Sequence, residues 1–478
     1  TNKSLRVTDV LSVDPGGTLN TGGIITLSST STNTARVSEV DAGAITGLVT
    51  VERYLPGARV WRLLTAPVKG STNNSIYYNW QNNNTTISST LGTDVWGPVS
   101  TYTETSVGLA YINPSTHNFR IYNNGAWTNV SNSKSTTTFA LFNSTKNNAF
   151  LTFITSPRRR SYSGTTGNSV KIATTLRARG TLLTGTQTYT INNTNYFLIA
   201  NPYASPIDFS NIIDENGDNG NTIAPKIWLM DPKLGTFGNY VTWDPVNQYS
   251  NPQAQNALNG QNTTVIQSCQ AFFVKGKTGA TSSNFYIHEN NKTSTVLTNV
   301  FGRTANTNFE RIRVNLEKVG DTIPHRDACV VGFYAGANNN VDDNDVQKFT
   351  NPTETLAFYN GTTALSSEHR APISDGDELF IRLTGGTINN YKLKIYTENF
   401  QYNGYAYLHD LKLGTITPMP IDGSIFEYPF EVTSDTTTQG VRFKIVFTST
   451  LGIDNNTITN TIKAFPNPAT KTEGITVN

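Results

Sequence analysis

Two acidic loop segments carry the residue types that bind a calcium ion. In "DENGDNGN" (214–221) oxygen-bearing side chains stand at alternate positions, so three of them could converge on one hard cation. The segment "DDND" (342–345) is similar in kind. The first loop does not complete the helix–loop–helix calcium pattern, because its position 12 would be Pro225. The candidate ligands for structural calcium, for which solvated loop carboxylates are the alternative, are Asp214, Asn216, Asp218, Asp342, Asp343 and Asp345.

The other reactive side chains form no catalytic constellation in the sequence. The 5 histidines are scattered, without a close pair at metal-ligand spacing, and no nucleophile elbow occurs. Residues 271–278, "AFFVKGKT", fit a relaxed phosphate loop, but the runs around them are typical of strands, without the helix that nucleotide binding needs. Acidic residues are few, and the sequence assigns no carboxylate pair to glycoside hydrolysis. We therefore expect no enzymatic activity.

The composition of the 478-residue chain argues against nucleic-acid binding and membrane spanning. Charged residues make up 15% of the chain and the formal net charge is +2, so no excess of basic charge favours nucleic acid. No apolar run approaches the roughly 20 residues that a spanning helix needs. The two cysteines, Cys269 and Cys329, lie in apolar runs. They are either buried free thiols or one disulfide, and their spacing does not decide between the two.

Short apolar alternations between Gly, Asn and Pro turns predict an all-β chain made of successive blocks. Residues 1–50 indicate the end of a β-solenoid-like repeat region, which caps that region. Residues 51–290 indicate a jelly-roll-type β-sandwich. Residues 291–449 indicate a second antiparallel β-sandwich, in which "VDDNDVQKF" forms one short helical turn. A polar linker, 450–462, leads to 463–478, which begins a further small domain.

The C-terminal segment "KAFPNPATKTEGITVN" resembles the start of the type A sorting domain of proteins exported by the Bacteroidetes type IX secretion system. These Ig-like domains typically begin with an aromatic-Pro-Asn-Pro segment after a polar linker, and a strand follows. The resemblance implies that residues 463–478 are a truncated sorting domain and an export signal. Two prolines stiffen the entry to the strand, and an exposed first strand can pair with a partner's sheet edge. The matching residues are Phe465, Pro466, Asn467 and Pro468, followed by Ile475 and Val477 in the strand.

The body of the chain resembles large Flavobacterium-type surface proteins in the segments "VERYLPGARVWRLLTAPV", "FLIANPYASPIDF" and "CQAFFVKG". The resemblance implies export across the outer membrane to the cell surface, with the type IX translocon and its shuttle protein as partners. Other surface proteins or glycans are the further partners that it implies. It also implies O-glycosylation at Asp-Ser/Thr-apolar or Asp-Ser/Thr-Thr sites. Two segments fit this pattern, "DTI" with Thr322 and "DTT" with Thr436.

These features together predict a secreted, non-enzymatic cell-surface β-protein for adhesion, gliding motility or surface display, or a carrier for another surface protein. The alternative is a carbohydrate-binding module, or the non-catalytic part of a secreted polysaccharide-degrading enzyme. The 6 tryptophans could line a sugar-binding face, although aromatic residues of a sandwich are more often core. Because the chain opens with Thr1 and ends within the tail motif, we expect it to be a piece of a longer protein.

Overall fold

The computed structural model describes residues 4–58, 60–70, 74, 76, 78–80, 93–95, 119–123, 125–129, 149–157, 173–191, 194–213, 217–251, 262–296, 302–303, 309–323, 325–449, 464–465 and 476–477. Within these ranges the chain consists of strands, loops and 3-10 turns, which confirms the predicted all-β class. The 3-10 turns are Phe209–Asn211, Glu289–Asn291 and Thr436–Thr438. No helix in the described ranges is long and apolar enough to cross a membrane.

The first block, which we call the N-terminal coils, is a stack of parallel strands. The pairs β1–β4, β2–β5, β3–β6 and β4–β7 are all parallel, which is the pairing that stacked solenoid coils require. Buried Ile25, Leu27 and Val49 fill the space inside the stack. The strands are β1 Leu5–Val7, β2 Val10–Leu11, β3 Leu19–Asn20, β4 Ile25–Leu27, β5 Arg36–Val37, β6 Ile45–Thr46 and β7 Val49–Leu55.

The second block, which we call the middle block, is a stack of several small sheets that begins with β7. Strand β7 also pairs antiparallel with β14, so one strand belongs to the coils and to the middle block. The strands are β8 Val60–Thr65, β9 Val68–Lys69, β10 Thr93–Val95, β11 Phe119–Asn123, β12 Ala126–Asn129, β13 Ala149–Pro157, β14 Thr174–Leu182, β15 Gln187–Thr190, β16 Tyr196–Ala200, β17 Ile207–Asp208, β18 Ile227–Asp231, β19 Asn239–Asp244, β20 Gln248–Tyr249, β21 Asn262–Thr263, β22 Val265–Ile266, β23 Ala271–Lys275, β24 Asn284–Ile287 and β25 Gly302–Arg303.

Central strands of the middle block are buried on both faces because further sheets lie on either side. In β8, Leu64 packs into the core shared with the N-terminal coils, whereas Trp61 and Leu63 pack into a second core. In β23, Phe273 joins that second core and Phe272 faces a third. Neighbouring residues of a strand point to opposite faces. A continuous apolar run is therefore the sequence pattern of a strand covered on both sides.

The third block, the C-terminal block, is one 11-stranded sheet wrapped around a single core. Its pairs are antiparallel except β27–β30, which is parallel. Pro429 lies in β35 at the end of the strand order, in keeping with the confinement of proline to edge strands. The strands are β26 Glu310–Lys318, β27 Asp327–Phe333, β28 Val346–Gln347, β29 Thr355–Asn360, β30 Thr363–Arg370, β31 Glu378–Thr384, β32 Asn389–Glu398, β33 Tyr405–Asp410, β34 Thr415–Met419, β35 Phe426–Val432 and β36 Gly440–Thr448.

The middle and C-terminal blocks meet through buried polar contacts. Ser367 Oγ donates to Asp244 Oδ2 at 2.6 Å, and His369 Nε2 lies 3.3 Å from Asp244 Oδ1. The indole N–H of Trp228 donates to the Gln347 carbonyl at 3.1 Å. These groups specify one relative placement of the two blocks, because each loses its partner if the blocks separate. In the tail, β37 Ala464–Phe465 pairs antiparallel with β38 Thr476–Val477.

Candidate binding groove

A polar groove, with a cavity volume of about 910 Å³, lies where the N-terminal coils meet the middle block. The coils contribute one wall from the loops after β2 and β5. The middle block contributes the other wall from the loops before β15 and after β17 and β24. The residues that line the groove are Val13, Pro15, Glu39, Val40, Asp41, Ala42, Gly185, Thr186, Asn211, Ile212, Gly217, Asp218, Asn219, His288, Glu289, Asn290 and Asn291.

Glu289 holds the two walls of the groove together. Its Oε2 accepts the backbone N–H of Val40 at 3.0 Å, and its Oε1 accepts the N–H of Gly185 at 2.8 Å. Lys292 Nζ lies 2.6 Å from Glu289 Oε2, and the Lys292 side chain is nearly fully buried. Burial lowers the pKa of the Lys292 ammonium, and the Glu289 carboxylate opposes that shift. One carboxylate thus satisfies donors from both blocks and a buried cation.

Gly185 is a position where the wall contact requires glycine. Its φ of +69° lies in the left-handed region, and a Cβ there would lie 2.6 Å from the Cβ of Ala42. The backbone of the middle block therefore approaches the coils more closely than a side chain would permit. This close approach brings the N–H of Gly185 to the carboxylate of Glu289.

His288 places a ring on the groove surface. Its Nδ1 lies 3.0 Å from Thr186 Oγ1, and its Nε2 lies 3.1 Å from Asp218 Oδ2. The ring stacks on Tyr286, with centroids 5.8 Å apart and an interplanar angle of 18°. Asn291 Oδ1 accepts the backbone N–H of His288 at 2.7 Å, which fixes the start of the 3-10 turn. The imidazole is thus held in one orientation from three sides.

The exposed part of the groove is rich in hydrogen-bond acceptors. Glu39 and Asp41 are exposed on the coil wall, and Asp218 and Asn211 are exposed on the opposite wall. Carboxylates and amides of this kind pair with ligand hydroxyl groups, and the acidic charge disfavours anionic ligands. The groove therefore suits a neutral, hydroxyl-rich ligand. No local sequence pattern indicates this groove, because its walls come from segments far apart along the chain.

The first calcium candidate is only partly within the described residues. Asp214 and Asn216 lie outside them, and Asp218 is the member that the structure places. The Asp218 carboxylate contacts His288. Among the residues that the structure describes, no group of three or more His, Cys, Asp or Glu side chains could hold a metal ion. The calcium prediction for this loop stays a prediction.

The second calcium candidate is a turn whose carboxylates contact protein donors. Asp342 Oδ1 accepts the N–H of Asn344 at 2.7 Å, and Asp345 Oδ1 accepts the N–H of His369 at 2.8 Å. Asp343 Oδ1 accepts the hydroxyl of Thr278 at 3.0 Å. The short helical turn expected here is wrong, because a hydrogen-bonded turn leads directly into β28. Through the contact between Asp343 and Thr278, this segment joins the C-terminal block to the middle block.

The predicted sorting-signal residues lie largely outside the described part of the chain. Pro466, Asn467, Pro468 and Ile475 are outside it, whereas Phe465 and Val477 belong to the paired strands β37 and β38. A strand at the predicted place therefore follows the Pro-Asn-Pro segment. The signal function stays a prediction.

The two O-glycosylation candidates occupy exposed turns. Thr322 is exposed in the turn after β26, and Thr436 is exposed at the start of a 3-10 turn. Both positions are therefore reachable from solvent, as a modifying enzyme requires. Modification itself stays a prediction.

The two cysteines and most of the described tryptophans are buried in the protein core. Cys269 and Cys329 are buried free thiols, so the disulfide alternative does not hold. Four of the tryptophans are core residues, Trp61, Trp80, Trp228 and Trp243. Trp127 is half-buried and Trp96 lies outside the described residues. A row of exposed coplanar tryptophans is therefore absent from the ranges that the structure describes.

Replacing Glu289 with alanine is expected to loosen the N-terminal coils from the middle block. The variant leaves the N–H groups of Val40 and Gly185 without an acceptor and removes the ion pair of Lys292. We expect a loss of about 2 kcal/mol in the free energy of unfolding. We also expect faster amide exchange at Val40 and Gly185. Hydrogen exchange measures both quantities. The control Glu39→Ala removes an exposed carboxylate of the same groove and should leave the protection factors of these two amides unchanged.

These features define an all-β protein with a polar groove between two of its blocks. The chain belongs to the family described as "Domain of unknown function (DUF8693)", which matches residues 1–447. The matched span includes the N-terminal coils, the middle block, the C-terminal block up to the penultimate residue of β36, and every residue that lines the groove. No curated protein and no solved structure matches the chain.

Proposed function

We propose that this chain is a non-enzymatic, exported cell-surface β-protein that serves adhesion, gliding motility or surface display. The observation that carries the proposal is the continuity of its β-framework. Strand β7 closes the parallel coils and also pairs with the middle block, while buried polar contacts join the middle block to the C-terminal block. Such a framework transmits force without a flexible joint between the joined strands, as an extracellular stalk requires. A carrier that brings another surface protein to the translocon is a variant of this proposal.

The tail supplies the export signal in this proposal. The family match ends at residue 447, and the aromatic-Pro-Asn-Pro segment at Phe465 follows it. The type IX translocon and its shuttle protein would read the tail as a short strand, in line with the pairing of β37 and β38. The body would then remain at the cell surface or be released there.

Deletion of the gene tests the adhesive role. We expect cells that lack this protein to attach to a surface less than wild-type cells, and a plasmid copy of the full-length gene to restore attachment. A copy that carries Asp422→Ala, which replaces an exposed residue of the C-terminal block, should restore attachment to the same extent. Unchanged attachment, gliding and surface protein content in the deletion strain would contradict the proposal.

The groove favours a second candidate function, which is carbohydrate binding. Its exposed carboxylates and amides and the held His288 ring, stacked on Tyr286, are groups that contact sugar hydroxyls and sugar faces. This candidate is compatible with adhesion, because a surface protein that binds glycans can attach cells to them.

A polysaccharide panel tests the second candidate. Saturable retention of the full chain by a neutral polysaccharide in affinity electrophoresis is the expected result. His288→Ala should weaken that retention at least about tenfold, as the loss of roughly 1.4 kcal/mol would. Tyr405→Ala changes an exposed tyrosine of the C-terminal block and should retain wild-type binding. Equal retention of both variants would show that the groove does not bind the polysaccharide.

A further inference from the structure

A second cavity, of about 280 Å³, lies beneath the turn between β7 and β8. Apolar side chains form much of its wall, including Leu55, Leu63, Leu64 and Met230. Pro56 and Lys233 also line it and are exposed, so the cavity can be reached from solvent. Its volume is close to the lower limit of about 300 Å³ for small-molecule sites.

Arg53 is a buried cation without a partner in this cavity. The residue is 7% exposed, and its side chain makes no hydrogen bond or ion pair with any residue in the described ranges. An isolated buried charge is unfavourable unless something pairs with it. The preceding residue, Glu52, does not pair with Arg53, because neighbouring side chains in a strand point to opposite faces of the sheet. The Glu52 carboxylate instead accepts from Arg6 at 2.8 Å and from Arg177 at 3.0 Å.

A second arginine adds to the charge of this cavity. Arg62 is 5% exposed and donates from Nη2 to the carbonyl of Pro56 at 3.1 Å. Burial lowers its pKa to about 10, so the guanidinium remains charged at neutral pH. Lys233 contributes a further cation at the exposed side. No carboxylate belongs to the described residues that line the cavity.

Cys269 does not balance these charges. Its thiol lies close enough to Arg53 for the two groups to interact electrostatically. Burial raises the pKa of the thiol to about 11, so it is neutral at pH 7. The carbonyl of Cys269 is also engaged, because it accepts the N–H of Thr65 at 2.9 Å. Among the described residues, the wall therefore combines fixed positive charge with apolar surface and includes no carboxylate counter-ion.

We propose that this cavity binds a small organic anion, a carboxylate with an apolar body. The carboxylate would pair with the guanidinium of Arg53, and Arg62 would add to the attraction. Arginine suits this role because its planar fork matches both oxygens of a carboxylate. The apolar body would lie against Leu55, Leu63 and Met230. This site is separate from the groove, and its function does not depend on the proposed export or adhesion.

Titration of the full chain with sodium octanoate, monitored by calorimetry, tests this proposal. We expect saturable binding with one site per chain. Acetate carries the same carboxylate without the apolar body and should bind at least about 100-fold more weakly, since each buried CH₂ contributes about 0.8 kcal/mol. Inorganic phosphate carries charge alone and should bind no better than acetate.

Variants of the full chain show whether Arg53 is responsible. Arg53→Met should weaken octanoate binding at least about tenfold. It should also raise the Tm of the unliganded protein by about 2–4 °C, because it removes an unpaired buried charge. If this variant does not fold, Arg53→Lys keeps the charge and should still weaken binding, since it loses the planar fork. Arg382→Met, in strand β31 of the C-terminal block, should bind octanoate like the wild type.

Three results would overturn the proposal. The first is that octanoate does not bind to the wild-type chain at millimolar concentration. The second is that the Arg53 variants bind octanoate as tightly as the wild type. The third is that phosphate binds and octanoate does not, which would assign the cavity to inorganic anions.

Discussion

Replacing Asp244 with alanine is expected to lower the free energy of unfolding by about 3–5 kcal/mol, because it leaves buried donors without an acceptor. Asp244 is fully buried where the middle and C-terminal blocks meet. Its Oδ2 accepts from Ser367 Oγ at 2.6 Å, and its Oδ1 accepts the N–H of Asn247 at 2.6 Å. His369 Nε2 lies 3.3 Å from the same Oδ1. The substitution removes all of these contacts at once.

The pH dependence of this effect follows from the pKa of Asp244. Burial alone would raise that pKa, but the His369 imidazole, the Ser367 hydroxyl and the Asn247 N–H together lower it to about 2. The unfolded-state pKa of an aspartate is about 3.9. A lowered pKa in the folded state contributes stability above the unfolded value, and this stability is lost as pH falls toward 2. The difference between Asp244→Ala and the wild type should therefore be largest near pH 7 and shrink below pH 4.

Chemical denaturation monitored by tryptophan fluorescence measures this effect. The matched control is Asp422→Ala, which removes an exposed carboxylate whose hydrogen-bond partner is Ser424, two residues later. That control should change the free energy of unfolding by less than about 0.5 kcal/mol. If Asp244→Ala behaved like the control, the buried contacts would not hold the two blocks together.

Asp231→Asn is expected to stabilise the protein at pH 8 and to leave its stability unchanged at pH 4. Asp231 is 1% exposed, and the N–H of Lys233 donates to its Oδ1 at 2.8 Å. Burial raises the pKa of this carboxyl to about 7, and the contact with Lys233 opposes the shift only in part. Asparagine can keep the hydrogen bond from Lys233 and never carries the charge.

The sign of this pH dependence is opposite to that of Asp244. A raised folded-state pKa gives stability that is present below the unfolded value of about 3.9 and is lost as pH rises through 7. The full shift corresponds to a loss on the order of 4 kcal/mol above pH 7. Asp231→Asn avoids that loss. At pH 4 the wild-type carboxyl is already protonated in the folded state, and the two proteins should be equally stable.

Urea denaturation at pH 4, 6 and 8 measures the effect of Asp231→Asn. Asp9→Asn changes an exposed aspartate of the N-terminal coils and should show no such trend. A variant that is equally or less stable than the wild type at pH 8 would show that Asp231 is stabilised as a carboxylate.

The sequence predicted the strands well, because their side-chain patterns follow from burial. In β32, buried Tyr391, Leu393 and Ile395 alternate with outward Lys392 and Lys394, as a strand with one covered face requires. In β8, the run "VWRLLT" is buried throughout, which alternation alone does not predict. The local sequence does not show which sheets cover such a strand, because their placement depends on pairing between distant segments.

The binding sites were harder to predict because each combines residues far apart in the chain. Glu39 and Glu289 line one groove but are separated by most of two blocks. Arg53 and Arg62 are near each other in sequence, yet a charged residue in a strand normally indicates a solvent-facing position. The signal that could have marked them is their place in two runs, "VERYL" and "VWRLL", whose neighbours are largely apolar.

Protease shaving of intact cells would show whether the tail exports this protein to the cell surface. One strain would produce the native full-length protein, and a matched strain would produce a protein that lacks everything from Thr450 onward. That truncation leaves the N-terminal coils, the middle block and the C-terminal block intact. We expect surface peptides from residues 51–449 in the first strain, and in the second strain their loss with accumulation of the protein inside the cell. Equal surface peptides from both strains would contradict it, and the Phe-Pro-Asn-Pro segment would then be a turn before a strand.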